Sequence, residues 1–186
     1  MFSLCSFLII QALKRNVSDD AIITVDVGDH TYWFYKKFIY EGQRPYLCAN
    51  MAAMGFGLPA ALSAKLDFPE KQVVCVSGDG GFAMLMADFT TAVRENLDIT
   101  AVVFNDNKLK NIKKEQLREG FPEFGVSFPN PNFAEFAVTC GGHGIRVEKA
   151  EDLDAALRDT FDSSKPSIFE VIVDPDKMAA STKRVD

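Results

Sequence analysis

The stretch VVCVSGDGGFAML, residues 73–85, decides the fold because it joins a continuous apolar run to a helical pattern through a glycine-rich turn. The apolar run lacks polar alternation, which is typical of a strand that is covered on both faces. Similar runs occur at Ala21–Val25, Ile99–Phe104 and Ser167–Val173. Helical stretches separate the runs, and this alternation predicts a doubly wound α/β domain with a mostly parallel sheet and helices on both faces.

The remaining elements follow from hydrophobic periodicity and from the positions of glycine and proline. Apolar residues at helical spacing predict a buried first helix that includes Leu4, Phe7, Ile10 and Leu13. Two glycines and three prolines predict a loop over Gly120–Pro131. Further helices are predicted over Asn50–Phe68, Ala83–Asn96, Ile112–Glu119, Phe133–Cys140 and Ala150–Asp162, and a short strand over Gly144–Val147. No repeat or linker divides the sequence, so residues 1–186 are expected to form a single domain.

The composition limits the classes of function. A chain of 186 residues, 47% of them hydrophobic, suits one domain with a proper core. The net charge of −6 argues against a nucleic-acid surface, which usually carries basic patches. The four cysteines lack metal or redox spacing, which indicates free thiols, and the N-terminal apolar run is too short to span a bilayer. We therefore expect a cytoplasmic protein without a transmembrane segment.

The glycine-rich turn after the apolar run at residues 73–77 has the features of a phosphate site. Glycine allows the backbone to turn sharply and to approach a ligand closely, which applies here to Gly78. Backbone N–H groups at the start of a helix can hold phosphate oxygens. The groups in question belong to Gly80, Gly81 and Phe82. The alternative is an ordinary tight turn in which Asp79 acts as a turn or capping residue.

A second polar strand end supplies a partner for Asp79. The run that ends at Phe104 is followed by Asn105-Asp106-Asn107, and one helix separates it from the GDGG turn. A strand–helix–strand crossover makes the two strands parallel, so as neighbours they bring Asp79 and Asp106 to the same edge of the sheet. Carboxylate oxygens are the ligands that Mg²⁺ prefers, and the pair predicts a magnesium–phosphate site. The alternative is that residues 105–107 form a simple polar turn.

These motifs together resemble the thiamine diphosphate fingerprint. The resemblance runs from Leu62 through Pro69 and the GDGG turn to Asn105–Asn107. It implies that Asp79, Asp106 and the main-chain carbonyl of Lys108 bind Mg²⁺. The family more often has asparagine at the second position, so Asp106 adds a negative charge beside the diphosphate.

Two further segments are similar to the same family. The segment VDVGDH, residues 25–30, implies that Gly28, Asp29 and His30 contact the diphosphate, whereas the alternative for the His30 side chain is a surface loop histidine. The segment ANMAAMGFGLPAA, residues 49–61, resembles the part that holds the aminopyrimidine. It implies that the Ala52 carbonyl accepts a hydrogen bond from the 4′-amino group and that Met54 bends the cofactor into its V shape. The alternative for Met54 is plain core packing.

Within this family the chain is similar to the carboxyl-terminal third of pyruvate oxidases and acetolactate synthases. In the oxidases the glutamate of the IKKEQ segment lies near the substrate, which makes Glu115 a catalytic candidate; the alternative is a solvated helix residue. Lys110-Asn111 stands where the family often has glycine and an aromatic or apolar residue. In flavin-dependent members that aromatic residue lies toward the flavin. FAD is therefore expected, if at all, in a full-length enzyme and not in this domain.

The resemblance also implies a partner domain. Ylide formation in this family needs a glutamate from a separate pyrimidine-binding domain, usually on the neighbouring subunit. Because neither that domain nor a flavin domain is recognised in the 186 residues, we expect the chain to act within a larger enzyme or with a partner chain, as a homodimer or homotetramer. The expected substrate is a 2-oxo acid such as pyruvate.

Three functions remain open at this point. The first is a pyruvate oxidase-like enzyme that decarboxylates a 2-oxo acid. The second is an acetolactate synthase-type carboligase or a simple 2-oxo acid decarboxylase. The third is a cofactor-binding or subunit-interaction module that has no activity alone.

Overall fold

Six strands form one sheet in the computed structural model, which describes residues 4–179. They are β1 (Ile22–Val25), β2 (Arg44–Leu47), β3 (Val73–Gly78), β4 (Thr100–Asn105), β5 (His143–Val147) and β6 (Ser167–Ile172). The strand order is β2-β1-β3-β4-β6-β5, and every pairing is parallel. The predicted doubly wound parallel sheet is confirmed.

Eight α-helices accompany these strands; the first precedes β1, and the other seven lie between strands. They are α1 (Ser6–Asn16), α2 (Asp29–Lys37), α3 (Gly57–Asp67), α4 (Asp79–Leu85), α5 (Phe89–Arg94), α6 (Lys110–Arg118), α7 (Phe133–Thr139) and α8 (Leu153–Phe161). Single 3₁₀ turns lie at Met86–Asp88 and Ala150–Asp152. These counts refer to residues 4–179.

Two hydrophobic clusters cover the two faces of the sheet. The strand side chains alternate between them, so Val74 and Val76 belong to one cluster while Val73 and Cys75 belong to the other. Helices α1, α2 and α8 supply the first cluster, and α3, α4, α5 and α7 supply the second. Burial on both faces explains why β1, β3, β4 and β6 are continuous apolar runs in the sequence.

The order in which strands are added to the sheet reverses at β1, and this creates a crevice at the carboxyl edge of the sheet. From β1 the chain passes to β2 on one side and then to β3 on the other. The register pairs Val25 with Val76 and Gly78 with Phe104. The residues that follow β1, β3 and β4 therefore meet at one edge. In open parallel sheets, ligands bind at such a switch point.

Several predicted boundaries differ from the structure. Helix α2 and strand β2 were not predicted. The helix expected over Asn50–Phe68 begins only at Gly57, because the preceding turns include Ala52 at φ 47° and Gly55 at φ 88°, which no α-helix contains. The helix expected over Ala83–Asn96 is divided into α4, a 3₁₀ turn and α5. The loop over Gly120–Pro131 is confirmed.

Candidate functional site

A cavity of about 230 Å³ opens at the switch point, where the ends of β1, β3 and β4 meet. It is lined by every residue that was predicted to bind the cofactor except Phe82, and also by Lys108. Phe82 lies in the core with 1% of its surface exposed and packs edge-on against Phe133 at 5.3 Å between ring centroids. A role for Phe82 in this site is therefore limited to its backbone.

Asp79 is the most constrained carboxylate of the cavity. Its Oδ2 accepts hydrogen bonds from the backbone N–H groups of Asp106 at 3.2 Å and Asn107 at 2.7 Å, and from Nδ2 of Asn130 at 2.7 Å. Its Oδ1 accepts the N–H of Gly80 at 2.8 Å. Burial raises the pKa of this carboxyl, while these hydrogen bonds act to lower it. The bonds from residues 106 and 107 hold the tips of β3 and β4 together.

Asp106 lies beside Asp79 and is paired with a buried lysine. Its Oδ2 is 2.8 Å from the Lys110 ammonium, and its Oδ1 accepts the N–H of Lys108 at 2.9 Å. Burial raises the pKa of Asp106 to about 6; the Lys110 charge opposes this rise, and the Asp79 charge adds to it. Asp79 and Asp106 thus meet at one corner of the cavity, and carboxylate oxygens are the ligands that a hard divalent cation prefers.

Asp26, which was not singled out from the sequence, organises the opposite wall. It follows β1 and is 1% exposed. Its carboxylate accepts the N–H groups of Val27 at 2.7 Å and Gly55 at 2.9 Å, together with the Ser77 hydroxyl at 3.0 Å. Burial raises its pKa against these bonds. A Cβ on Gly81 would lie 2.7 Å from Oδ2 of Asp26, so the carboxylate also fixes how closely α4 approaches β1.

His30 is buried, so the alternative that it is a surface loop histidine is wrong. It is 5% exposed, and its Nε2 lies 3.0 Å from the carbonyl oxygen of Asp26. Burial lowers the pKa of this imidazole to about 4, and the charge of Lys110 adds to the effect. A Cβ at Gly28 or Gly78 would meet the ring at 2.7 or 3.0 Å, which explains both glycines. His30 belongs to α2, a helix that was not predicted from the sequence.

The segment before α3 forms the far side of the cavity. Ala52 and Met54 both line it, and Met54 is half-buried. Met54 is therefore not plain core packing. A Cβ on Gly80 would lie 3.5 Å from Cε of Met54, so this side chain reaches over the GDGG turn.

Glu115 lies apart from the cavity. It belongs to α6, its side chain is 49% exposed, and it pairs with Arg118 one turn further along the helix. A role for Glu115 near a substrate stays a prediction.

Three wider features concern metal ligands, cysteines and membrane-spanning helices. Within residues 4–179, no three His, Cys, Asp or Glu side chains cluster as a metal site, so a cation at Asp79 and Asp106 would depend on backbone oxygen as well. All four cysteines are free thiols, as predicted. Among the helices between residues 4 and 179, each falls short of the length and apolar content that a bilayer crossing requires.

Comparisons with known proteins agree with this geometry. The family model for the thiamine pyrophosphate enzyme C-terminal TPP binding domain matches residues 26–171. The chain is 37% identical over 166 residues to the Bacillus subtilis protein YdaP, whose name describes it as thiamine pyrophosphate-containing. It is 34% identical over 167 residues to an acetolactate synthase of the same organism. Each alignment covers 89% of this chain and 29% of the relative.

A solved structure shows the same fold. The thiamine diphosphate-dependent 4-hydroxybenzoylformate decarboxylase of Rhodococcus jostii matches with a TM-score of 0.85 and 23% identity. The match covers 95% of this chain and 34% of that enzyme. This chain therefore spans about a third or less of the length of these relatives. Because the family model covers most of its length, the chain belongs to the thiamine pyrophosphate enzymes and contains their carboxyl-terminal cofactor-binding domain.

Proposed function

We propose that the chain binds the Mg²⁺–diphosphate end of thiamine diphosphate and forms part of a pyruvate oxidase-like enzyme that decarboxylates a 2-oxo acid. One observation carries this proposal: Asp79 and Asp106 follow neighbouring parallel strands and face the same cavity. The N–H of Asp106 lies 3.2 Å from Oδ2 of Asp79, so the two strand tips are in direct contact.

The residues present fit the metal. Asp79 and Asp106 are hard oxygen donors, and Lys108, whose backbone carbonyl the family resemblance implies as a third ligand, lines the same cavity. Burial raises the pKa of both carboxyls, and the Asp79 charge raises the pKa of Asp106 further. A divalent cation between them would offset that repulsion and would in turn attract the diphosphate. The same corner therefore supports Mg²⁺ as the proposed ion.

Each wall of the cavity has a proposed role. The N–H groups of Gly80, Gly81 and Phe82 and the segment Gly28–His30 hold the diphosphate, although in this structure the Gly80 N–H is bonded to Asp79. Ala52 and Met54 hold the aminopyrimidine and the bend of the cofactor. When bound, thiamine diphosphate supplies the electron sink for decarboxylation, and the protein binds and orients it.

The substrate and the assembly remain parts of the proposal. We propose a 2-oxo acid such as pyruvate, and a pyrimidine-binding domain, of a longer chain or a neighbouring subunit, opposite the cavity. A homodimer or homotetramer follows from that arrangement, with any FAD bound elsewhere in the full enzyme. The acetolactate synthase relative favours a carboligase as the second candidate.

Titration of the full chain with thiamine diphosphate tests the site. In the presence of Mg²⁺ we expect saturable binding, read from heat or from the fluorescence of Trp33. Asp79→Ala should weaken binding at least tenfold, because it removes a metal ligand and the clamp between β3 and β4. The matched control is Asp98→Ala, which removes an exposed carboxylate ahead of β4 at the opposite edge. Unchanged Mg²⁺-dependent binding by Asp79→Ala would show that the assignment is wrong.

Products from pyruvate separate the proposed activities of the full-length enzyme. An oxidase yields acetate or acetyl phosphate with electron transfer to an acceptor. A carboligase yields acetolactate, and a simple decarboxylase yields acetaldehyde. Acetolactate as the main product would replace the oxidase proposal by the carboligase.

A further inference from the structure

Lys110 is a buried cation at the corner where the metal is proposed to bind. Its surface is 4% exposed, although lysine is almost never fully buried without a partner. The ammonium lies 2.8 Å from Oδ2 of Asp106 and donates to the carbonyls of Asp174 at 2.9 Å and Lys177 at 3.0 Å. It is thus fixed by three acceptors and cannot swing away to solvent without breaking them.

Lys110 differs from the other ionisable residues of the cavity in the carboxylate that its charge faces. The ionisable residues that line it are three aspartates, His30, Lys108 and Lys110. Asp29 is already engaged by the indole N–H of Trp33 at 3.0 Å. The Lys108 ammonium is directed to Glu123 at 3.4 Å, outside the cavity. Lys110 is therefore the lining cation whose charge acts directly on the Asp79–Asp106 corner.

We propose that Lys110 sets the charge of this corner: its ammonium offsets the Asp106 carboxylate, so that the site accepts an anionic diphosphate while its affinity for a free divalent cation is held down. This inference depends on the proposed function of the cavity. Asp106 and Lys110 together carry no net charge, whereas Asp106 alone would add a second negative charge beside Asp79. A unit charge at this range in a protein changes an ionic affinity by roughly tenfold or more.

The proposal makes opposite predictions for two probes of opposite charge. Lys110→Met keeps the length of the side chain and removes its charge. We expect it to weaken the binding of inorganic pyrophosphate, measured without divalent metal, by about tenfold. We expect it to tighten the binding of Mg²⁺ alone by several-fold. A purely structural loss would weaken both, so the opposite signs identify the electrostatic role.

Two further variants complete the charge series. Asp106→Asn/Lys110→Met again has a neutral pair and should return pyrophosphate affinity to within about threefold of the wild-type chain. Asp106→Asn alone leaves the ammonium without its carboxylate, so pyrophosphate should bind tighter and Mg²⁺ weaker. This single variant carries the test if Lys110→Met does not fold.

Lys65 offers a matched control because it is another buried lysine far from the cavity. It is 5% exposed, and its ammonium bonds to Asp98 at 2.9 Å and to the carbonyl of Lys71 at 2.8 Å. Lys65→Met should lower thermal stability and leave both affinities unchanged. The inference is overturned if Lys110→Met changes the two affinities in the same direction or not at all while the wild-type chain binds Mg²⁺ and thiamine diphosphate. If the wild-type chain does not bind that cofactor, the proposed function itself fails.

Discussion

At the scale of single residues, His30 is a neutral base enclosed within the site. Its ring, carried by α2, packs against Gly28 and Gly78, and its pKa is lowered to about 4 by burial and by the charge of Lys110. An unfolded histidine has a pKa near 6.5. Between these two values the unfolded chain binds a proton that the folded chain does not. His30 therefore contributes stability above pH 6.5 that is lost as the pH falls through about 4.

Replacement of His30 should change this pH dependence. In the wild-type chain the histidine is expected to remove roughly 3 kcal/mol from the free energy of unfolding between neutral pH and pH 4. His30→Gln cannot take up the proton, so its stability should fall less steeply over the same range. Urea unfolding at several pH values measures both slopes. Parallel slopes for the two proteins would mean that the buried imidazole does not titrate in this window.

Some residues of the candidate site can be predicted from the sequence and others cannot. Asp79 and Asp106 were predictable because each lies two residues after an apolar run, and the crossover rule then brings them to one edge. Asp26 and Asn130 were not, since their importance lies in contacts with Gly55, Ser77 and Asp79 that only the folded chain creates. No spacing rule in the sequence links such distant positions.

At the scale of elements, the strong apolar runs predicted the central strands. Two elements with weaker patterns, β2 and α2, were not predicted from the sequence. Strand β2, at the edge of the sheet, alternates between exposed and half-buried residues and contains Pro45, which is unfavourable in a strand interior. Helix α2 buries only His30 and Phe34 and leaves both of its tyrosines exposed, so its periodicity is weak. Both elements depend on tertiary packing against α1 and β1 more than on local propensity.

A buried carboxylate joins strands β4, β5 and β6. Glu170 is fully buried and accepts the Asn105 amide at 2.6 Å, the Ala134 N–H at 3.2 Å and the Arg146 guanidinium at 3.1 Å. The amide of Asn130 bonds to both Asn105 at 3.0 Å and Asp79 at 2.7 Å. A continuous chain of hydrogen bonds therefore leads from the edge strand β5 to the proposed metal corner.

Removal of the Arg146 guanidinium should show how much the buried Glu170 carboxylate destabilises the fold without a counter-charge. We expect Arg146→Met to lower the free energy of unfolding by about 2 kcal/mol, because Glu170 stays buried and loses its counter-charge. The loss is moderate because the arginine is partly exposed, so that solvent already weakens the ion pair. The double variant Arg146→Met/Glu170→Gln should recover much of the lost free energy of unfolding, because it removes the buried charge as well. Glu148→Gln, which removes an exposed partner of the same arginine, serves as the control and should change stability by less than about 0.5 kcal/mol. Equal losses from Arg146→Met and Glu148→Gln would contradict the buried-charge explanation.

At the scale of the whole molecule, the cavity supplies the residues proposed for the metal–diphosphate half of the chemistry. The chain covers 29% of the length of the acetolactate synthase relative. The cavity between residues 4 and 179 is lined by aspartates and by no glutamate. Asp29 bonds to Trp33 and to the N–H of Ala179, and the other two aspartates are proposed as metal ligands. None of these carboxylates is left to protonate the aminopyrimidine, the task that the family resemblance gives to a glutamate of another domain.

The 186-residue chain should therefore bind thiamine diphosphate without activating it. Proton NMR in deuterium oxide follows the loss of the C2 proton of the cofactor, which reports directly on ylide formation. With Mg²⁺ and enough chain to saturate the cofactor, we expect the exchange rate to stay within about twofold of that in buffer, because the missing general acid–base step normally contributes a factor of 10² or more. Asp79→Ala, which should bind the cofactor at least tenfold more weakly, gives the baseline. Exchange that is much faster with the wild-type chain than with this variant would show that the activating group lies within these residues and that no partner domain is needed.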